Sequence, residues 1–243
     1  LGKTRNKPIP TLESYPLQLD SPLLKSAIHF VDTAKALEIS IEAARVLDDM
    51  RFLTTSILYL NENGDSEAEK AKLMTTVQWI HEQLVSPASC DPEVANDFMY
   101  QTLRTAGIIY STAILTRTAL SRACTAELLQ QLWMTMWRVP LSRWKKIPGI
   151  FLWVIVVVNA YARDKPEARF LKGLMPPAIV AIGLLDWDAA MATLDCFLAV
   201  QRWLGGVSRM FIVPSRHSPK PKTPDGGLPE WALREGVDRT ATV

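Results

Sequence analysis

The chain has 243 residues, 48% of them hydrophobic, enough to bury one sizeable core. Lys and Arg number 27 against 25 Asp and Glu, a formal charge of +2, which excludes the strong positive field that nucleic acid or anionic lipid would select. Three cysteines, Cys90, Cys124 and Cys196, lie too far apart for paired thiolates to grip a zinc ion, and they read as buried, reduced thiols of an intracellular protein.

The first twenty residues hold Pro8, Pro10 and Pro16 among Lys3, Arg5 and Lys7, and predict an extended lead-in rather than an apolar signal sequence. Ser21-Pro22 supplies a capping hydroxyl and a proline fit for the first helical position, so a first helix is predicted from there to about Leu37. Ser40 caps a second, where Ala43, Val46, Leu47, Met50, Leu53, Ile57 and Leu60 form one apolar stripe up to Asn63-Gly64. Ser66 and Glu69 have capping-box spacing before a third helix with Leu73, Val77, Ile80 and Leu84 inside.

A fourth, long helix is predicted from Asp91-Pro92-Glu93 towards Ala119, with Phe98, Leu103, Ala106, Ile109, Tyr110 and Ala113 inward. Thr125 and Glu127 open a fifth, carrying Trp133 and Trp137 on one face until Pro140. A basic connector over residues 143–146 precedes the apolar run IFLWVIVVV at residues 150–158. That run is far short of the about 20 residues a bilayer needs, so it reads as a core helix. Shorter pieces are expected after Asp164 and after Pro176-Pro177. A last helix from Asp186 to about Leu204 is predicted to turn Trp187, Ala190, Met191, Leu194, Phe197, Leu198 and Leu204 inward.

No alternating run with hairpin signals occurs, and the expected fold class is all-α: a multi-helix bundle of antiparallel helical hairpins around one Trp-rich core, with Trp133, Trp137, Trp144, Trp153 and Trp187 in it. The domain limits follow as an extended segment over residues 1–20, a helical domain over 21–212 and a Pro-rich tail over 213–243, whose composition predicts mobility. Ser218-Pro219 and Thr223-Pro224 in that tail are minimal contexts for proline-directed phosphorylation, most simply read as a solvated linker.

Four stretches carry a family resemblance: IEAARVLDDMRFLTT (residues 41–55), TTVQWIHEQL (75–84), FMYQTLRTAGIIYSTAI (98–114), and PGIFLWVIVVVNAYARDKPEARFL (148–171) followed by LLDWDAAMATLDCFLAVQRWL (184–204). In order and spacing they resemble the fungal-specific transcription factor domain, the helical region C-terminal to a six-cysteine, two-zinc cluster. The resemblance implies a nuclear regulator of transcription, with links to secondary metabolism. Its helical region would meet other transcription proteins, a homodimer partner or a small-molecule effector. DNA contact and zinc would belong to a cluster that these residues do not contain. Either the chain continues upstream to that cluster, which a start at Leu1 rather than Met favours, or it is a relative that never had one; no cofactor or membrane contact is expected of these residues.

No residue pattern here predicts an enzyme. Asp48 and Asp49 are adjacent and point about 100° apart on a helix, which suits neither a shared proton nor a metal; Asp48 reads as a helix-face pair with Arg51 or Phe52, and Asp49 as a partner for a distant arginine. His29, His81 and His217 have no ligand spacing, and no nucleophile elbow appears. Arg104, Tyr110 and Arg117 on the fourth helix are the candidate lining of a ligand pocket between helices. The competing reading makes them polar ties between helices. An alternative function follows from such a pocket: a helical small-molecule receptor or enzyme of a fungal metabolic pathway.

Overall fold

The computed structural model describes residues 19–63, 66–86, 94, 96–159, 161, 173, 176, 178–180 and 186–205, which fall within the larger of two units, Leu1–Ser208. The chain is all-α, and among the described residues there is no strand. Its helices are α1 (Phe30–Leu37), α2 (Ile41–Asn63), α3 (Glu67–Val85), α4 (Phe98–Thr116), α5 (Leu120–Ala123), α6 (Ala126–Arg138), α7 (Leu141–Lys146), α8 (Pro148–Asn159) and α9 (Trp187–Gly205). The lead-in before residue 19 and the tail over 213–243 lie outside the described residues, as do Cys90, the helix start at Asp91-Pro92-Glu93 and most of residues 160–185. Residues 178–180, after Pro176-Pro177, are helical.

The central helix is α4, because its sequence is apolar or small almost all round: eleven of its residues are buried, including Thr102, Thr105, Gly107 and Ser111. Each buried hydroxyl returns a hydrogen bond within the helix, Thr102 to the Phe98 carbonyl at 2.7 Å and Thr105 to that of Gln101 at 2.9 Å, so no donor is stranded. Gly107 faces side chains of both α2 and α3. A Cβ there would stand 3.2 Å from Leu84 Cδ1 and 3.4 Å from Val46 Cγ1.

Paired contacts give the helix directions. Ser40 meets Asp97 and Thr54 meets Tyr110, so α2 runs parallel to α4. His81 meets Ser111 while Arg104 reaches the end of α3, so α3 runs antiparallel to α4. Thr102 meets Thr135 and Phe98 meets Arg138, so α6 is antiparallel too. The result is one continuous core, into which α8 is inserted whole: every residue from Pro148 to Val158 is buried.

Every residue of the stripes predicted for α2 and α3 is buried, and α2 buries Ala44, Arg51 and Thr54 besides. Elsewhere the structure corrects the sequence reading. Ser21-Pro22 opens a turn, not a helix: Ser21 Oγ accepts from Leu23 N and the Ser21 carbonyl from Leu24 N. The first helix begins only at Phe30, because Asp48 on α2 takes the N–H of Phe30 at 2.8 Å and of Val31 at 3.1 Å, a cap delivered from another element. The Ser66 hydroxyl makes no capping bond. The fourth helix stops at Thr116 with Arg117 left-handed at φ 50°, and a separate turn, α5, follows. The basic connector is the short helix α7.

Residues 19–23 form a strap across the bundle, with Ser21 and Leu23 buried. Arg51 of α2 holds it through an ion pair to Asp20 and a bond from Nη1 to the Ile28 carbonyl at 2.6 Å, while its guanidinium lies 3.9 Å over the Phe30 ring. Asp20, not Asp48, is therefore the partner of Arg51. At the start of α8 the absence of a side chain at Gly149 lets the strap backbone pass, since a Cβ there would lie 2.6 Å from the Asp20 carbonyl oxygen.

The largest correction concerns α9. Its buried residues are Ala190, Thr193, Cys196, Val200, Trp203 and Leu204, whereas Trp187, Met191 and Leu198 face out. Tryptophan is divided likewise: Trp144, Trp153 and Trp203 are in the core, Trp133 is partly buried, and Trp79, Trp137 and Trp187 are more than half exposed.

Candidate functional site

Arg104, Tyr110 and Arg117 each meet a different neighbour. Arg104 closes the end of α3: Nε donates to the Leu84 carbonyl at 2.6 Å, and Nη2 to those of Val85 and Ser86 at 3.2 and 2.9 Å. These are carbonyls that the last turn of a helix leaves without intrahelical partners, and a cation is favoured there. Tyr110 is completely buried, its hydroxyl 2.9 Å from Thr54 Oγ1 and its ring edge-on to Trp153 at 6.2 Å. Burial pushes its phenol pKa well above the ordinary value. Arg117 is exposed and lays its guanidinium 3.8 Å over the Trp203 ring. A six-residue step turns a helix about 120° away from the starting direction, so Arg104 and Tyr110 point to different sides of α4.

A cleft of about 300 Å³ opens where three chain corners meet: the α1–α2 corner, the start of α4 and the α6–α7 corner. Its lining is mixed: Ile39, Phe98, Met99, Val139 and Pro140 are apolar, and Glu38, Asp97, Arg138 and Arg143 are charged. The two carboxylates are engaged. Asp97 caps α4 by accepting from Tyr100 N at 3.0 Å and receives the Ser40 hydroxyl at 2.6 Å. Glu38, in the left-handed conformation at φ 56°, accepts from Lys146 Nζ at 2.6 Å and lies 3.6 Å from Arg143 Nε. The Lys146 hydrogen bond and charge hold its carboxyl below the ordinary range. Arg143 also donates to the Glu38 carbonyl.

Arg138 is different. Its guanidinium lies 4.8 Å over the Phe98 ring, and among the described residues no carboxylate pairs with it. Neither this cleft nor a shallow recess along α6, lined by Glu127, Gln130 and Met134 among others, includes Arg104, Tyr110 or Arg117. Sequence reasoning passed over the cleft because corner residues have no periodicity. The one available signal was the basic run at residues 143–146.

The remaining candidates take structural roles. His29 Nδ1 is 3.7 Å from Asp48, and His81 Nδ1 is 2.9 Å from Ser111 Oγ, with burial lowering the His81 pKa. His217 lies outside the described residues. Cys124 and Cys196 are buried thiols outside any disulfide, and burial pushes the Cys196 thiol up to about 11, far from a reactive thiolate. Among the described residues no arginine pairs with Asp49; burial and the neighbouring Asp48 raise its carboxyl to about 6. Among the described residues no three His, Cys, Asp or Glu side chains converge as a metal site would require, and no helix is long and apolar enough to cross a membrane.

The outer face of α9 completes the inventory. Trp187, Met191 and Leu198 are 66%, 41% and 43% exposed, with half-buried Leu194 between them. Steps of four, three and four residues align them along one side of the helix, roughly opposite its buried face. No protein-family model, no curated protein and no solved structure matches this chain.

Proposed function

We propose that this chain is a regulatory and protein-interaction domain of a fungal transcription factor, acting in the nucleus, with DNA contact made by a zinc cluster outside these residues. The observation that supports the reading is the apolar stripe of Trp187, Met191, Leu194 and Leu198 on the outer side of α9, a helix whose other side is already packed. A contiguous exposed apolar stripe with a tryptophan at one end is the kind of surface that partner proteins cover. The order of the four resembling segments, from residue 41 to residue 204, supplies the class of partner: other components of the transcription machinery.

A reporter assay tests this. Fused to an unrelated DNA-binding domain, the chain is expected to change transcription from a promoter bearing that domain's site. The double variant Trp187→Glu, Met191→Glu is expected to abolish the change with an unaltered melting temperature, since both side chains are exposed. A fusion without effect on the reporter, or an effect that survives the double variant, would overturn the reading.

A further inference from the structure

We propose that the cleft between the α1–α2 corner, the start of α4 and the α6–α7 corner binds a small organic carboxylate, which pairs with Arg138 and lays an apolar body on Phe98, Met99 and Val139. The inference is independent of the transcription reading.

It rests first on charge. The cations at the cleft are Arg138, Arg143 and, behind Glu38, Lys146; the anions are Glu38 and Asp97. Glu38 is shared between Lys146 and Arg143, and Asp97 is occupied by the Ser40 hydroxyl and the Tyr100 amide. The Asp97 charge stays in place, so three cations meet two carboxylates, a net charge of +1, and Arg138 is the cation that pairs with no carboxylate among the described residues. Its guanidinium carbon lies 4.8 Å from the centre of the Phe98 ring, a contact with the ring face that consumes none of its N–H donors. A planar fork of five N–H donors is the partner that a carboxylate matches in two-point fashion.

Shape and lining narrow the ligand further. About 300 Å³ is the small end of ligand cavities, fit for a molecule the size of a substituted benzoate or a short-chain acid. With Arg143 engaged by Glu38, no second cation is left for another anionic group, and the Glu38 and Asp97 carboxylates repel one. A monoanion with an apolar ring or chain fits better than inorganic phosphate or a dicarboxylate. The walls come from separate elements, so a ligand here would tie α4 to the α1–α2 and α6–α7 corners.

Titration of the isotope-labelled chain with benzoate, followed by amide NMR, tests the site, with benzyl alcohol and inorganic phosphate as the neutral and non-carboxylate probes. Expected are saturable shifts centred on Ser40, Met99, Tyr100 and Val139 for benzoate and none for the other two. Arg138→Gln should weaken benzoate at least about tenfold, the loss expected for one charge-assisted contact. Arg138 is exposed, so this variant keeps its melting temperature. Arg104→Gln, away from the cleft, should leave benzoate binding unchanged. Shifts that fail to saturate where a ligand of about 1 mM Kd would, equal binding of benzyl alcohol, or an unaltered affinity in Arg138→Gln would each overturn the proposal.

Discussion

Asp49 sits half-buried on α2 next to Asp48, and the cost of holding its charge away from water raises its carboxyl to about 6, from 3.8. Between those values the folded chain keeps a proton that the unfolded chain has released. The stability this gives is complete below about pH 4 and is lost as pH rises through about 6. Asp49→Asn removes the charge without changing the shape. After discounting for the part of the group that water still screens, about 1 kcal/mol should be recovered at pH 8, a rise of about 2–4 °C in melting temperature. At pH 4 the variant and the parent should melt together. Equal melting temperatures at both pH values would mean that Asp49 is solvated after all. Asp48 differs by one position and has the opposite environment, since two amide N–H groups receive its charge. Adjacent identical residues thus have separate jobs, and only the fold separates them.

That pair also governs an element. The eight residues of α1 are too few to hold a helix alone, and its first amides are satisfied by a carboxylate eighteen residues away rather than by His29 at the cap position. Asp48→Ala should therefore cost about 1–2 kcal/mol, as loss of a helix cap does, and the loss should fall on α1. Amide exchange at Ala34, Lys35 and Leu37 should speed up while α3 is unaffected. Uniform acceleration along the chain would contradict a local cap.

The same contrast explains what the sequence could show. In α2 and α3 the aliphatic residues that recur at three- and four-residue steps form one stripe, so Val46, Leu47 and Met50, or Leu73 and Val77, announced their burial by spacing, while Phe52, Tyr59 and Trp79 stand outside it and are exposed. In α9 two apolar faces exist, Ala190–Cys196–Val200–Trp203 and Trp187–Met191–Leu198, and spacing favours the bulkier. The bundle buries the other, where small side chains admit close approach. Caps and clefts built from distant residues, such as Asp48 over α1 or Arg138 beside Asp97, leave no periodic trace at all. Arg104 and Arg117 were visible as polar residues on an apolar helix, yet their tasks, sealing α3 and covering Trp203, depend on neighbours supplied by the fold.

Across the whole molecule the buried and exposed tryptophans mark the division between holding the fold and presenting a surface. Trp153 has no exposure, lies on a helix buried on every side and packs edge-on against Tyr110, which in turn meets Thr54 of α2. It thereby links α8, α4 and α2 through one run of contacts. Its indole N–H has no partner among the described residues, so its stabilisation comes from shape and apolar area rather than from a hydrogen bond. Trp153→Ala should cost about 3–5 kcal/mol, a large part of the about 5–15 kcal/mol that a domain has in total. Trp187→Ala, at 66% exposure, should stay within about 0.5 kcal/mol of the parent. Chemical denaturation of both variants measures the difference directly. A Trp153→Ala chain as stable as the Trp187→Ala chain would mean that α8 is not the inner wall of the bundle, and the central position of α4 would fall with it.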